Sequence, residues 1–259
     1  MKDFKKKIIW CVVFALILAV FITTAVALIS KLISPKNELA DYRNESATSG
    51  SVDNELPDNP VDFEALKKRN SDVCAWIYIP GSEQAYGTAI DYPILQSSAD
   101  KIEDFYLEHD IDGNPLFDGS IYIQKLNSNN FEDPNTLIYG HDLYNKTMFT
   151  ALRKYRNKEF FEKNQYIYIY LPERILKYRI FSAFVFDDRH ILYSYDFSNE
   201  QSYAEFLKEA LEPASAKALV REGVEVTTDD RIITLSTCTD NAKERFLVTA
   251  VLEKESVTK

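Results

Sequence analysis

Past residue 58 the apolar positions come in short runs. "CAWIYIPG", "AIDYPILQ", "GSIYIQ", "NTLIYG", "QYIYIYLP", "LKYRIFSAFVF", "VEVTTDDRIITLST" and "RFLVTAVLEK" are β-branched and aromatic, the mark of strands packed on at least one face. Pro80-Gly81, Asp112-Gly113-Asn114-Pro115 and Asp118-Gly119 punctuate them as turns. About eight strands without regular strand–helix alternation predict a mainly β fold, a closed or nearly closed barrel rather than a parallel sheet.

Helical periodicity precedes the strands once and interrupts them twice. "NPVDFEALKKRNSD" reads as a short N-terminal helix. Pro60 suits its first turn, Asp62 and Glu64 its N-terminus, and Lys67, Lys68 and Arg69 its end. Phe63 and Leu66 share its inner face. "MFTALRKYRNKEFFEKN" follows the fourth strand. "SNEQSYAEFLKEALEP" precedes the last strand pair, with Ser198 or Asn199 as N-cap and Tyr203, Phe206, Leu207 and Ala210 on one face.

The first 58 residues follow a different pattern. Lysines at 2, 5, 6 and 7 precede a run with no charge from Ile8 to Ser30, and a helix of about 20 residues spans a bilayer core. Residues 1–34 therefore read as a basic cytoplasmic head and a single membrane anchor, with the rest of the chain outside. Ala25-Val26-Ala27 resembles a signal-peptide cleavage site, but the apolar run is longer than a signal core of about 7–15 residues. Residues 35–58 are polar and aperiodic and read as a flexible extracellular stalk. Residues 59–259 form the predicted domain.

The chain of 259 residues has a net charge of −10. That excludes an extended phosphate-binding surface and hence nucleic acid as a partner. Three cysteines fit neither a disulfide scaffold nor a zinc site, and no spacing of His and Cys supports a metal. Cys11 lies in the anchor. Cys74 sits in apolar company and reads as packing, although a Cys74–Cys238 bridge is formally open outside the cell.

Cys238 stands apart. "RIITLSTCTDNAKERFLV" climbs to it through an alternating strand, turns, and opens a second apolar run at Arg245. If that turn joins antiparallel neighbours, Arg245 returns beside Cys238, where a guanidinium would favour a thiolate and donate to an oxyanion. A cysteine nucleophile also needs a proton carrier. His109 and His190 lie in loop-like sequence. His141, in "NTLIYGHDLYN", falls just past a strand and after Gly140, which permits an abrupt turn. The plainer readings are a hydrogen-bonded turn histidine and an arginine paired with Glu244 or Asp240.

"TLSTC" followed by "RFLV", with "YGH" about a hundred residues earlier, resembles the sortases of Gram-positive bacteria. The leading helix, "WIYIPG…DYPILQ", "FYLEHDIDGNP…GSIYI" and the helix before the last strand pair are similar to the class B branch. The resemblance implies a thiol transpeptidase needing no metal or cofactor. Cys238 would be its nucleophile, His141 its general acid and base, and Arg245 its oxyanion contact. Ser236, Thr237 and Leu107 would line the peptide groove. Its partners would be surface proteins with a C-terminal sorting signal, cleaved after Thr, and an amine-bearing cell-wall precursor. Two departures stand out: the Cys-to-Arg connection is short, and Asp142 follows the histidine where relatives often carry Asn.

Three other functions compete. A pilin-polymerising sortase would carry a lid with an Asp-Pro-aromatic motif, whereas Asp133-Pro134 is followed by Asn135. An L,D-transpeptidase or NlpC/P60-type peptidase would show different Cys and His motifs. A non-enzymatic membrane-anchored binding module would bury an inert Cys238.

Overall fold

A computed structural model describes residues 10, 14, 16–25, 39, 41–44, 57–215 and 217–259. The chain divides into two units, residues 1–44 and 45–259. In the first, residues 16–25 are helical. The predicted anchor and stalk lie largely outside the described residues, and among the described residues no helix is long and apolar enough to cross a membrane.

The second unit is built on nine strands: β1 (Val73–Ile79), β2 (Ile90–Gln96), β3 (Ile121–Ile123), β4 (Asn135–Tyr139), β5 (Tyr166–Leu171), β6 (Arg174–Asp187), β7 (Leu219–Val220), β8 (Ile232–Cys238) and β9 (Glu244–Val257). Their order is β5-β1-β2-β3-β4-β8-β9-β6-β7, and β5 also pairs with β6. That last pairing joins the two ends of an eight-strand sheet, so the barrel is closed and mixed. β2–β3 and β4–β8 run parallel and the other pairs antiparallel. Closure removes the exposed edges that a strand-rich sequence must otherwise protect. The two-residue β7 lies outside the ring on the upper half of β6.

The helices sit at the periphery. The N-terminal helix α1 (Phe63–Arg69) starts later than Pro60. Asp62 caps it by accepting from Ala65 N–H, and Phe63 and Leu66 are buried. Two one-turn pieces, α2 (Glu83–Tyr86) and α4 (Ile191–Ser194), mark loops. The predicted helix after β4 is split. Thr150–Arg156 winds as a 3-10 helix, then Asn157 resets the chain and caps α3 (Lys158–Lys163).

The long helix α5 (Glu200–Leu211) has Asn199 as its N-cap and buries Tyr203, Phe206, Leu207 and Ala210 as predicted. These pack on Leu137, Phe184, Ile232 and Leu247 from the sheet, forming a hydrophobic layer outside the barrel wall. Each such side chain contributes about 1.5–3 kcal/mol on burial, which fixes the wall from which the strand ends project.

Candidate active site

β4 and β8 run parallel and finish together. Tyr139 is level with Ser236, so Gly140-His141 and Thr237-Cys238 leave the barrel at one rim. Two hydrogen bonds weld these exits. Gly140 N–H donates to the Ser236 carbonyl (3.2 Å), and the Thr237 hydroxyl donates to the Gly140 carbonyl (2.7 Å). β9 returns antiparallel with Arg245 opposite Cys238. A thiol, an imidazole and a guanidinium distant in sequence thus share one rim.

Gly140 earns its place through space, not an abrupt turn. A Cβ there would lie 2.7 and 2.8 Å from Phe149 Cδ2 and Cγ, and against Ile121 Cδ1 as well. The histidine is fixed from the opposite side. Its Nε2 is 2.8 Å from the carbonyl of Leu107, the last residue of a 3-10 turn at Phe105–Leu107. A carbonyl only accepts, so Nε2 carries a proton and Nδ1 is the nitrogen left for the thiol. Gly119, at φ 59°, allows the chain to pass against that same carbonyl. The Phe117 ring lies nearly parallel to the imidazole, centroids 6.0 Å apart.

The two reactive groups shift each other's protonation. Interaction with His141 pulls the Cys238 thiol below its ordinary value, aided by the charge of Arg245 and opposed by desolvation. Cys238 in turn raises His141, with help from the Leu107 carbonyl and Asp118 and against desolvation. Both shifts favour a thiolate–imidazolium pair. Cys74 shows the opposite behaviour. It is buried, and its thiol is pushed up to about 12, as expected of inert packing.

Arg245 makes two hydrogen bonds, both from Nη1, to the carbonyls of Ala242 and Glu244. The ion pairs that sequence left open do not form. Asp240 pairs with Arg153 and the Glu244 carboxylate accepts from Asn241. Among the described residues Arg245 has no carboxylate partner, and Nε and Nη2 remain for a ligand.

A groove of about 280 Å³ opens beside Cys238. Its floor is a row across three strands: Tyr122, Tyr139 and Ser236 stand level, and the two tyrosine rings stack at 5.4 Å. One wall is Asp104 and Leu107, the other runs from Phe186 to Ile191. Ser236 and Leu107 line it as expected. Thr237 also borders it, but the residue is only 2% exposed and its hydroxyl is committed to Gly140. Tyr122, Tyr139 and Asp104 were not singled out from sequence, because an aromatic on a barrel floor and one in a core share the same alternation. His190, loop-like as predicted, joins the groove wall, whereas His109 stacks on Phe105 away from it. Asp133-Pro134 leads into the start of β4, at the end of that strand remote from His141. A larger cavity, of about 780 Å³, opens where β2 and β5 end and β6 begins. Its Arg174 is engaged by both Glu132 and Glu255, and it holds no such rim. Among the described residues no cluster of His, Cys, Asp and Glu could hold a metal.

A lowered thiol beside a tautomer-fixed imidazole suits acyl transfer through a thioester. The comparisons with known proteins agree. The sortase-domain family model matches residues 84–253, and the chain belongs to the sortase family. Within it the likeness is to sortase B. The Staphylococcus aureus sortase B is 34% identical over 197 residues, 75% of each chain. A crystal structure of Clostridium perfringens sortase B is 33% identical with a TM-score of 0.64, covering 74% of this chain and all of that one. A Staphylococcus aureus sortase B–substrate complex is 32% identical with a TM-score of 0.62, covering 74% and 84%. The chain is thus a sortase B-like cysteine transpeptidase with an eight-strand barrel.

Proposed function

We propose that Cys238 attacks the carbonyl after the threonine of a C-terminal sorting signal and that His141, through Nδ1, protonates the departing amine. A thioacyl enzyme remains. An amine of a cell-wall precursor then enters, His141 takes its proton, and the new amide releases Cys238. Arg245 steadies the oxyanion in both halves with the donors it keeps free of carboxylates. The observation that carries this reading is the convergence of Cys238, His141 and Arg245 at one rim of the barrel, with Nε2 of the histidine tied to Leu107.

The groove supports a peptide substrate, with Ser236 on its floor and Leu107 on its wall. Thr237 serves it indirectly, by joining the Cys and His strands. That a related sortase B has been solved as a substrate complex favours the same surface for binding. Residues 1–34 anchor the enzyme with its N-terminus in the cytoplasm, residues 35–58 form the stalk, and residues 59–259 act outside the membrane. Tethering raises the effective concentration of substrates held at the same surface.

The test is cleavage of quenched-fluorescent peptides of the N-P-x-T-x, L-P-x-T-G and S-P-x-T-G classes by the full chain in detergent, with Cys238→Ala alongside. Cysteine-dependent cleavage after Thr in one class is expected. Cleavage of none, or cleavage that survives Cys238→Ala, overturns the proposal.

A further inference from the structure

The residue after His141 is an aspartate that the reaction as written does not use. Its side chain is only 2% exposed. One oxygen, Oδ1, is buried with no hydrogen-bond partner among the described residues; the other, Oδ2, is bound by Nε of Arg153 from the 3-10 helix that follows. The same guanidinium extends Nη2 to Oδ1 of Asp240 at 3.1 Å. Asp142 is next to His141, and Asp240 is two residues beyond Cys238. One arginine therefore spans the loops that leave β4 and β8.

We propose that Arg153 is a positioning residue for the transpeptidase site, holding the histidine loop to the cysteine loop through Asp142 and Asp240 and neutralising the buried Asp142 carboxylate next to His141 in the chain. The inference rests on the roles given to Cys238 and His141 above.

The two halves of the bridge differ in weight. Asp240 is 87% exposed, and an exposed pair contributes little. Asp142 is enclosed, and a buried carboxylate that loses its one cation is left uncompensated. Asp142 already opposes ionisation of Cys238, against the larger favourable effects of His141 and Arg245. On the other side, Asp118 and Cys238 face His141. Without Arg153 the carboxylate would repel a thiolate and hold the proton on the imidazole.

An amide at position 142 would need no counter-charge, so Arg153 and Asp142 should behave as a unit.

The experiment uses the full chain with Arg153→Met, Asp142→Asn and the double variant, and reads two quantities. The first is the pH profile of Cys238 alkylation by iodoacetamide, which needs no peptide turnover. The second is peptide cleavage split into kcat and KM. Arg153→Met should move the alkylation midpoint upward and lower kcat by about 10- to 100-fold with little change in KM. The double variant, with no buried charge left, should return the midpoint to that of the wild type while recovering only part of kcat. Asp240→Asn should leave the midpoint in place. If Arg153→Met lowers only the melting temperature, or if it is unfolded and the double variant matches wild type in kcat, Arg153 is a scaffold residue and the proposal fails. Wild-type enzyme that alkylates normally but cleaves no peptide would instead count against the proposed reaction.

Discussion

Replacing Gly140 with alanine tests how tightly the histidine is framed. The added methyl would sit 2.7 and 2.8 Å from two ring carbons of Phe149 and closer still to Ile121 Cδ1. Carbon atoms in contact prefer about 3.5–4.0 Å, so the ring must withdraw by about 1 Å. Phe149 cannot move alone. It is fully buried, and its N–H donates to the His141 carbonyl at 2.9 Å. Overpacking of this kind costs about 1–3 kcal/mol. At about 2–4 °C per kcal/mol for a domain of this size, the melting point should fall by about 2–12 °C. The displacement passes to His141, and a shift near 1 Å can lower turnover by up to about 100-fold. Thermal melts and Cys238-dependent cleavage of the full chain read both effects. Because valine lacks Cδ1, the costs of Gly140→Ala and Ile121→Val should be less than additive. Wild-type melting and turnover in Gly140→Ala would show that the frame is looser than described.

Cys238 should alkylate half-maximally below the pH of about 8.5 typical of a free thiol, and His141→Ala should move that midpoint up; an unmoved midpoint would sink the coupling. Arg245→Ala should lower kcat by about 100- to 1,000-fold while leaving the fold intact by circular dichroism; retained turnover would remove it from the site. Asp72, nearly enclosed, is pushed up by desolvation, but hydrogen bonds from Lys101, Tyr106 and Ser98 outweigh this and hold it below its ordinary value. Its stabilisation is present above about pH 3.9 and fades as pH falls through the lower folded value. Asp72→Asn should therefore flatten the acid limb of a stability profile, and an unchanged limb argues against the pairing. Phe206→Ala should cost about 3–5 kcal/mol by emptying the layer under α5, measured by urea unfolding.

Where one physical pattern dominated, sequence was enough. The alternating runs became barrel strands, the inner face of α5 fell where its periodicity put it, and Arg245 returned beside Cys238 because a short turn joins antiparallel neighbours. Local competition blurred the rest. "VEVTTDDRIITLST" looked continuous, yet Thr227 and Asp230 close a turn through side-chain bonds and the strand begins only at Ile232. Asn157 similarly broke one expected helix into two by capping the second. Of the groove walls only Leu107 was named, through the resemblance; Asp104 and the stretch around His190 come from loops that carry no periodic signal. The Asp142–Arg153–Asp240 bridge lay beyond reach: Asp142 was visible as a departure, but its partner becomes evident only when the 3-10 helix folds over the rim.

The parallel pairing of β4 and β8 carries a temporal consequence. β4 and the histidine precede β8 by some ninety residues of chain, and β8 and β9, which follow one another and close the wall between β4 and β6, supply both the thiol and the arginine. Until that closure the barrel has a gap and the cysteine has no proton partner. Pairings so distant along the chain form slowly. Before that step the thiol lacks the imidazole and guanidinium that lower it and is an ordinary, poorly ionised one. Reactivity is acquired in the same step that completes the wall, so the chemistry of the thiol is tied to completion of the barrel.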